Sequence, residues 1–421
     1  MILHLDLDCF FASAERINNK KLLNIPIAVG GRSNLNIFDN KKQNRVMSNI
    51  KGAFTSSILS SNENKNFDEY FRDDTGKIRG IVTTSSYEAR AYGVKTAMSV
   101  SEAIRLCPSL TVIAPNYPLY HELSHKLRVL LEKELPSVEQ YSIDEFFTDA
   151  SGWIKDEDIF EFAIKLKNKI YDELELPISI GIAKTKWIAK LATTDSKPSG
   201  IKLIKPHEVD DYIKDKPIAE FAGIGKAYQE RLTKYNIKTL GDIKKYKDLF
   251  YSWQKPGIQL YNRVCAIDNE ELSHTKDKKS IGLGRTFDPI NNRDEIRRRI
   301  SILCRHLSFI GLKNDLYAMT FALKIRYEYG SKVKDNVSSN RNFSESLLKK
   351  SIIELFDKID IHKTHSIIQI NITLSNFTKD KCTTLDMFSY EEDNKQKELS
   401  NSMQKLRSKF GIDIIKNANE M

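Results

Sequence analysis

The chain opens with an alternating apolar and polar run that predicts a β-strand. Within residues 2–8 three leucines fall on one face of such a strand, and Asp6 and Asp8 fall on the other, since neighbouring side chains point to opposite faces. The leucine face should pack on a core. The two aspartates are then expected to face the same cleft.

A second acidic cluster, Asp144-Glu145, also lies among strand-forming residues, with Phe146 and Phe147 directly after it. Neighbours on a regular strand cannot both reach one site, but they can at the bend of a hairpin, which the flanking residues favour. Carboxylates in apolar surroundings are costly to bury unless their charge is offset. A pair of divalent metal ions held by carboxylates, as in phosphoryl and nucleotidyl transfer, would offset it. The alternative is two unrelated surface turns.

The next part of the chain alternates between ordered and polar segments. Residues 10–15 predict a helix and residues 25–29 a short strand, whereas residues 34–76 are rich in Asn, Ser, Lys and Asp. This composition is typical of a long inserted loop.

A short helix is predicted after the strand at residues 81–84. Ser85 with Glu88 three positions later is a capping-box pattern, and Gly93 is a natural helix end. Tyr87 and Arg90 are three positions apart and therefore share a face of this helix. Further helices are predicted at 99–107, 117–135, 156–174 and 185–195, with a strand at 178–182.

A Gly-Ile-Gly turn lies between helical patterns at residues 223–225, followed by Lys226. It is typical of a helix-hairpin-helix, in which glycines let backbone N–H groups approach a DNA phosphate at the positive end of the following helix. The alternative is an ordinary helix–helix turn.

The C-terminal part predicts a compact module. After a basic linker, strands are expected at 281–287, 316–327, 332–338 and 366–375, and helices at 293–309 and 344–358. That order is βαββαβ. The remaining tail, residues 379–421, holds Leu385, Met387 and Phe388 in a polar context and then a charged, helix-like stretch.

Composition narrows the function classes. The 421 residues carry a formal net charge of +10, and residues 276–350 hold 17 Lys and Arg against 8 Asp and Glu. A local basic excess indicates a polyanionic partner such as nucleic acid. Five scattered cysteines without a CxxC pair fit a reducing compartment and argue against a zinc ribbon. We expect no signal peptide and no membrane span.

Five segments in order resemble the Y-family translesion DNA polymerases, most closely the bacterial DNA polymerase IV branch. Asp6-Leu7-Asp8-Cys9-Phe10-Phe11-Ala12 resembles the first catalytic motif and Ser142-Ile143-Asp144-Glu145 the second. Tyr87-Glu88-Ala89-Arg90-Ala91-Tyr92-Gly93-Val94-Lys95 resembles the nucleotide-binding segment, and Gly181-Ile182-Ala183-Lys184 and Ser196-Lys197-Pro198-Ser199-Gly200 resemble two later signatures. Order and spacing agree from residue 1 to about residue 375.

The resemblance implies a multidomain α+β fold shaped like a right hand. The expected parts are a ferredoxin-like palm (1–9 and 111–204), fingers (10–110, with the insertion at 34–76), a thumb with the helix-hairpin-helix (205–270), a linker (271–280), a DNA-binding little finger (281–378) and a tail (379–421).

The resemblance also implies roles for single residues. Asp6, Asp144 and Glu145 would be catalytic and, with the Leu7 carbonyl, would hold two Mg²⁺ ions, with Asp8 nearby. The incoming deoxynucleoside triphosphate would be bound by Tyr87, Arg90, Lys197 and Lys184. Phe11 would exclude ribonucleotides sterically, although a core phenylalanine is the alternative. Gly223, Gly225 and Lys226 would contact primer–template DNA, and Leu385, Met387 and Phe388 would bind the replicative sliding clamp.

The chain departs from the family pattern in two places. The insertion at 34–76 lengthens the fingers. Thr384 stands where the clamp-binding segment usually has glutamine, which weakens the expected clamp contact. The alternative for the tail is packing on the little finger. The expected enzyme is a cytoplasmic, monomeric, low-fidelity polymerase of DNA damage tolerance without proofreading. Nucleotide cyclases share this palm chemistry but would not need the helix-hairpin-helix or the basic C-terminal module. A catalytically dead DNA-binding scaffold is a third reading, which the loss of a metal carboxylate would signal; none is lost here.

Overall fold

The structure, a computed structural model, describes residues 1–33, 35–38, 66–73, 75–273, 278–378 and 390–420. The chain divides into two compact units. The first unit comprises Met1–Gly31 and Met47–Lys276, and the second comprises Arg32–Val46 and Asp277–Met421.

Twelve strands and fifteen helices lie in the described part of the chain. The strands are β1 Ile2–Leu7, β2 Ile27–Gly31, β3 Ile81–Ser85, β4 Thr111–Ile113, β5 Glu139–Gln140, β6 Glu145–Asp149, β7 Ile178–Ala183, β8 Ile201–Leu203, β9 Ser280–Ile290, β10 Tyr317–Tyr327, β11 Lys332–Ser338 and β12 Ile367–Thr378. The helices are α1 Phe10–Asn18, α2 Phe67–Phe71, α3 Tyr87–Ala91, α4 Val100–Leu106, α5 Tyr117–Glu134, α6 Ile159–Leu174, α7 Lys186–Ser196, α8 Val209–Ile213, α9 Lys226–Thr233, α10 Leu240–Ile243, α11 Lys247–Ser252, α12 Gln254–Val264, α13 Arg293–Lys313, α14 Glu345–Ile359 and α15 Tyr390–Phe410.

The central sheet of the first unit has the order β5-β6-β1-β7-β8, with β1 antiparallel to both its neighbours. The three leucines of β1 are buried in one core with apolar residues of α5 and α6, as the alternation predicts. Helix α7 covers the other face of β1 and β7. It packs so closely that a Cβ on Gly181 would lie 2.0 Å from the Ala189 carbonyl oxygen, so only glycine fits there. This sheet is the predicted palm.

A smaller sheet, of order β3-β2-β4, forms the predicted fingers with α1, α3 and α4. Strand β4 pairs in parallel with β2, so Thr111–Ile113 belongs to the fingers sheet and the palm boundary predicted at residue 111 is wrong. The reason is that three-residue β4 buries Val112 against Phe71 and Val100 rather than against the palm.

Helices α8 to α12 form the predicted thumb. Their buried side chains make one core with the apolar face of α7, including Trp187, Leu191, Leu232 and Phe250. Helix α7 therefore has its polar side toward the palm sheet and its apolar side toward the thumb, which ties the thumb to the palm sheet.

The second unit contains the predicted βαββαβ module. Its sheet is fully antiparallel, in the order β11-β10-β12-β9, and α13 and α14 cover one face. Every predicted element of this module is observed, with bounds shifted by up to four residues.

Residues 34–76, predicted to be a long inserted loop, supply core residues near both ends. A 3₁₀ turn at Leu35–Phe38 buries Ile37 and Phe38 in the core of the second unit. Helix α2 buries Phe71 completely in the fingers, where a Cβ on Gly30 would lie 2.6 Å from the Phe71 ring. A polar average composition hid these few apolar anchors.

The C-terminal segment, predicted only as charged and helix-like, folds onto the second unit. Helix α15 is held by Asp393, which accepts hydrogen bonds from Arg341, and by Arg407, which pairs with Glu345. No helix of the described ranges combines the length and apolar character of a membrane span.

Candidate active site

The two acidic clusters meet at one end of the palm sheet. Asp6 is the Cα partner of Glu145 in the β1–β6 ladder, and Asp144 precedes it in the turn after β5. The Leu7 N–H donates to the Asp144 carbonyl oxygen over 3.0 Å. Because a strand residue's N–H and C=O point to the same side, the Leu7 carbonyl also faces the acidic turn. The hairpin prediction is confirmed.

Cations already lie beside two of these carboxylates. Lys197 Nζ donates to Asp6 Oδ1 over 2.6 Å, and Lys190 pairs with Glu145. Ser142 Oγ donates to Asp144 Oδ1 over 2.5 Å. Each acid is therefore fixed in position by a separate donor.

Burial sets the protonation of these acids. It raises the pKa of Asp6 to about 7; Lys197 opposes that rise, and the charges of Glu145 and Asp144 add to it. Burial likewise raises the pKa of Asp144, against the hydrogen bond from Ser142 and with a contribution from Glu145. Three mutually repelling carboxylates in a desolvated site are a strong attractor for a cation.

His4 lies beside the acids, although the sequence analysis gave it no role. Its side chain is 1% exposed, its Nδ1 lies 2.8 Å from Thr193 Oγ1, and its Nε2 lies 3.7 Å from Glu145 Oε1. Ligand atoms of His4, Asp6 and Glu145 all lie within 4.8 Å of one another. Burial and nearby lysines, of which Lys190 contributes most, hold the pKa of His4 well below its usual value.

Asp8 follows β1, and its hydrogen-bond partners differ from those of the other acids. Its carboxylate accepts from Ser179 Oγ at 3.0 and 2.9 Å, from the Ser199 N–H at 2.7 Å and from Tyr87 Oη at 3.1 Å. The side chain of Tyr87 therefore reaches from the fingers to the palm.

Two of the predicted nucleotide-binding residues form one small group. The guanidinium of Arg90 lies over the Tyr87 ring, 4.9 Å from its centroid, and Arg90 Nε donates to the Ser85 carbonyl oxygen. Burial, followed by the charge of Asp8, raises the pKa of Tyr87, so its hydroxyl stays a donor. Arg90 is otherwise exposed, which leaves its charge available to an anion.

Phe11 is buried next to the acidic end of the palm. It is 8% exposed and stacks on Tyr120 with centroids 4.2 Å apart and an interplanar angle of 11°. Tyr117 meets it edge-on at 6.2 Å. The aromatic stack holds the Phe11 ring in one orientation.

Lys184 does not join this site. Asp6 is opposite Ser179 in the β1–β7 ladder, and Ile2 is opposite Ala183, so Lys184 follows the far end of β7. Five residues of strand span about 16 Å. Lys184 therefore lies away from the acidic turn, and its predicted nucleotide contact stays a prediction that this placement does not support. The lysine of α7 that contacts the acids is Lys190, just over one helical turn after the start of the helix, where it pairs with Glu145.

The residues that the sequence analysis missed follow a helical spacing. Lys186, Lys190 and Thr193 recur every three or four positions and share the face of α7 that covers the sheet. This spacing can be read from the sequence. The spacing does not show which strands this face of α7 covers.

The helix-hairpin-helix prediction has the expected local form. Gly223 has φ +101°, which requires glycine, and Gly225 is the N-cap of α9. A Cβ at either position would meet nothing within 4 Å, so the turn is open on its outer side. Lys226 is exposed.

In the second unit, the open face of the sheet is basic. In the β10–β11 register, Lys324 lies opposite Lys334 and Arg326 lies opposite Lys332. Asp335 instead points to the helical side of the sheet, where it forms an ion pair with Lys358. Leu385, Met387 and Phe388, predicted to bind the clamp, lie outside the described residues.

Two family models match the chain. The impB/mucB/samB family model matches residues 5–194, and the model of that family's C-terminal domain matches residues 278–387. Similar curated proteins include DNA polymerase IV of Oceanobacillus iheyensis, 29% identical over 100% of this chain and 92% of that protein. DNA polymerase IV of Lactococcus lactis subsp. cremoris strain SK11 is 28% identical over 92% of this chain and 96% of its own.

Solved structures share the fold. A Y-family DNA polymerase chimera aligns with a TM-score of 0.71 and 22% identity, over 90% of this chain and 99% of that one. DinB from Sulfolobus solfataricus aligns over the same shares with a TM-score of 0.53 and 22% identity.

Proposed function

Because this chain belongs to the impB/mucB/samB family, whose two models together match well over half of it, we propose that it is a template-directed DNA polymerase of the translesion type. It would add deoxynucleotides to a primer 3′ end, as the name of its DNA polymerase IV relatives indicates. The observation that carries the proposal is the convergence of Asp6, Asp144 and Glu145 at one end of the palm sheet.

The donor set fits Mg²⁺. Asp6, Asp144 and Glu145 offer carboxylate oxygens, Leu7 offers a carbonyl oxygen, and hard oxygen ligands are what Mg²⁺ prefers. When bound there, two Mg²⁺ ions supply a lowered pKa for the primer 3′-hydroxyl and positive charge against the leaving pyrophosphate. The raised pKa of Asp6 supports the fit, since it reflects a buried negative site that a cation would stabilise.

Three side chains would bind the incoming triphosphate. Arg90 and Lys197 supply positive charge, and Tyr87 supports Arg90 with its ring. Phe11 would lie where a ribose 2′-hydroxyl would project, and its stack on Tyr120 would stop the ring from moving aside.

Primer–template DNA would be gripped without sequence selection. Gly223 and Gly225 let backbone N–H groups at the start of α9 approach a phosphate, with Lys226 beside them. The basic face of the second unit would neutralise further phosphates, so binding should weaken steeply with salt. Such contacts suit an enzyme that accepts any template.

The family resemblance also supports a wider role. We expect a cytoplasmic, monomeric enzyme of DNA damage tolerance, with low fidelity and without proofreading. Leu385, Met387 and Phe388 would bind the replicative sliding clamp weakly. Changing these three residues to alanine should remove stimulation by clamp and spare extension without it; equal stimulation would exclude the segment as the tether.

A primer-extension assay with Mg²⁺ tests the proposal and separates the rival functions. The parent should extend a primer only on a template, whereas a cyclase would release a cyclic nucleotide without one, and an inactive scaffold would bind DNA only. Asp144→Ala should abolish extension and leave DNA binding near normal. Asp158→Ala, an exposed acid at the start of α6, is the matched control and should extend like the parent. Substantial extension by Asp144→Ala would contradict the assignment.

A further inference from the structure

Asp8 stands apart from the other acids of the first motif in its contacts. Asp8 is 2% exposed. Its carboxylate accepts hydrogen bonds from three neutral donors, namely two hydroxyls and one backbone N–H. Asp6, by contrast, is paired with a lysine. A lysine can move aside for another cation, but buried neutral donors left without their acceptor are costly.

The three donors come from three separate elements. Tyr87 is the first residue of α3 in the fingers, Ser179 lies in β7 of the palm, and Ser199 lies in the loop after α7. The Asp8 backbone is fixed as well, because its N–H donates to the Pro177 carbonyl oxygen over 2.9 Å and its carbonyl accepts from Ser13 Oγ over 2.7 Å. One carboxylate thus joins the fingers to two parts of the palm.

Two of these donors are close neighbours of the predicted triphosphate ligands. Tyr87 carries Arg90 on its ring, and Ser199 follows two residues after Lys197. Lys197 in turn reaches Asp6. Holding Tyr87 and Ser199 therefore fixes the distance between the two cations that would bind one triphosphate.

We propose that Asp8 is a positioning residue rather than a metal ligand: its carboxylate holds Tyr87 and the Ser199 loop so that Arg90 and Lys197 meet the triphosphate of an incoming nucleotide. This inference rests on the proposed polymerase function and deepens it. It assigns the two aspartates of the first motif different tasks, metal binding to Asp6 and nucleotide alignment to Asp8.

Asp8→Asn is the direct test. The amide keeps the shape but has only one acceptor oxygen, so it cannot accept from both Tyr87 Oη and the Ser199 N–H, and at the other position its NH₂ group can only donate. We expect the KM for a deoxynucleotide to rise roughly tenfold or more, since bonds to charged acceptors are the stronger ones. The affinity for Mn²⁺, measured by electron paramagnetic resonance without nucleotide, should stay within about twofold of the parent.

Three further variants complete the experiment. Tyr87→Phe removes one donor without touching the palm and should reproduce part of the KM effect, and its effect should be less than additive with that of Asp8→Asn. Asp144→Asn should lose Mn²⁺ affinity. Asp158→Asn is the surface control.

The outcomes separate the readings. A loss of Mn²⁺ affinity in Asp8→Asn comparable to that in Asp144→Asn would make Asp8 a metal ligand and overturn the proposal. Unchanged KM in both Asp8→Asn and Tyr87→Phe would also overturn it. Binding of a fluorescent deoxynucleotide is also measured without turnover, which keeps the test independent of extension. If the parent extends no primer, the polymerase proposal fails. Weaker nucleotide binding by Asp8→Asn than by the parent would still support the positioning role.

Discussion

Lys197 Nζ lies 2.6 Å from Asp6 Oδ1, although 191 residues separate them in the chain. The contact joins a predicted triphosphate ligand to a predicted metal ligand. The lysine offsets part of the buried negative charge of Asp6. If Asp6 binds a divalent cation as proposed, Lys197 would have to release it, so the same lysine would compete with the metal and assist the nucleotide.

Lys197→Met should separate these two effects. Removing this charge raises the pKa of Asp6 further, so the comparison is made well above pH 7. There Asp6 is ionised and has no competing cation, and the Mn²⁺ affinity of the nucleotide-free protein should be equal or tighter. The KM for a deoxynucleotide should rise by roughly tenfold, because a cation at the triphosphate is lost. Lys184→Met, at the far end of β7, is the matched control and should change neither quantity. A loss of Mn²⁺ affinity in Lys197→Met would contradict the competition.

Metal binding should depend on pH through Asp6. Its pKa is raised to about 7, so protons compete with the metal below that value, and Mn²⁺ affinity should fall by about tenfold from pH 8 to pH 6. The sign for stability is opposite: the fold favours protonated Asp6, so its contribution to the free energy of unfolding decreases as pH rises from about 4 to 7. Calorimetric titration across this range measures the affinity. A flat profile would show that Asp6 is already ionised at pH 6.

Phe11→Leu should lower the preference for deoxynucleotides over ribonucleotides. Leucine keeps much of the packing against Tyr120 and avoids the loss of about 3–5 kcal/mol expected for Phe→Ala in a core, but it is narrower where the 2′-hydroxyl would project. We expect the ratio of kcat/KM values to fall roughly tenfold. Phe10→Leu, at a neighbouring buried position, should leave the ratio unchanged. An unchanged ratio in Phe11→Leu would make Phe11 a core residue only.

The extent of a tolerated deletion should follow the buried anchors. Removing residues 34–76 takes away Ile37, Phe38 and Phe71, each of which is at most 4% exposed, so both units should lose stability. Removing only residues 40–64 and restoring the length with a Gly/Ser segment of equal length leaves all three anchors in place, so extension should be kept. Circular dichroism melts and extension assays compare the two. Equal behaviour of both deletions would show that the anchors do not matter.

The fold of the C-terminal segment should depend on Glu420. This residue is buried with Arg305, whose Nε donates to it over 2.5 Å, and with Lys349. Glu420→Ala removes the acid that Arg305 and Lys349 share and leaves Arg305 with Asp413 and Lys349 with Glu345. The loss of stability should therefore be smaller than the roughly 3–5 kcal/mol of a fully broken buried pair, but measurable. Denaturant unfolding should show this loss in the full chain. Glu391→Gln, an exposed acid on α15, is the control; similar stability of both variants would mean that the segment does not anchor there.

The sequence by itself determined the local elements and the type of chemistry. Alternation in residues 2–8 predicted both the buried leucines of β1 and the placement of Asp6 on the opposite face, because strand geometry has a fixed period. Five ordered segments indicated the Y-family fold, and the βαββαβ order of the C-terminal module followed from periodicity alone.

Only the tertiary structure decided which elements meet. It placed Lys190 rather than Lys184 beside the acids, joined β4 to the fingers, and showed that Ile37, Phe38 and Phe71 are core residues inside a polar stretch. It also gave Asp8 its three partners, which lie between 79 and 191 residues away in the chain. Local patterns encode the period and polarity of a segment, whereas the pairing of distant segments depends on packing and on the burial of a few side chains, which average composition does not reveal.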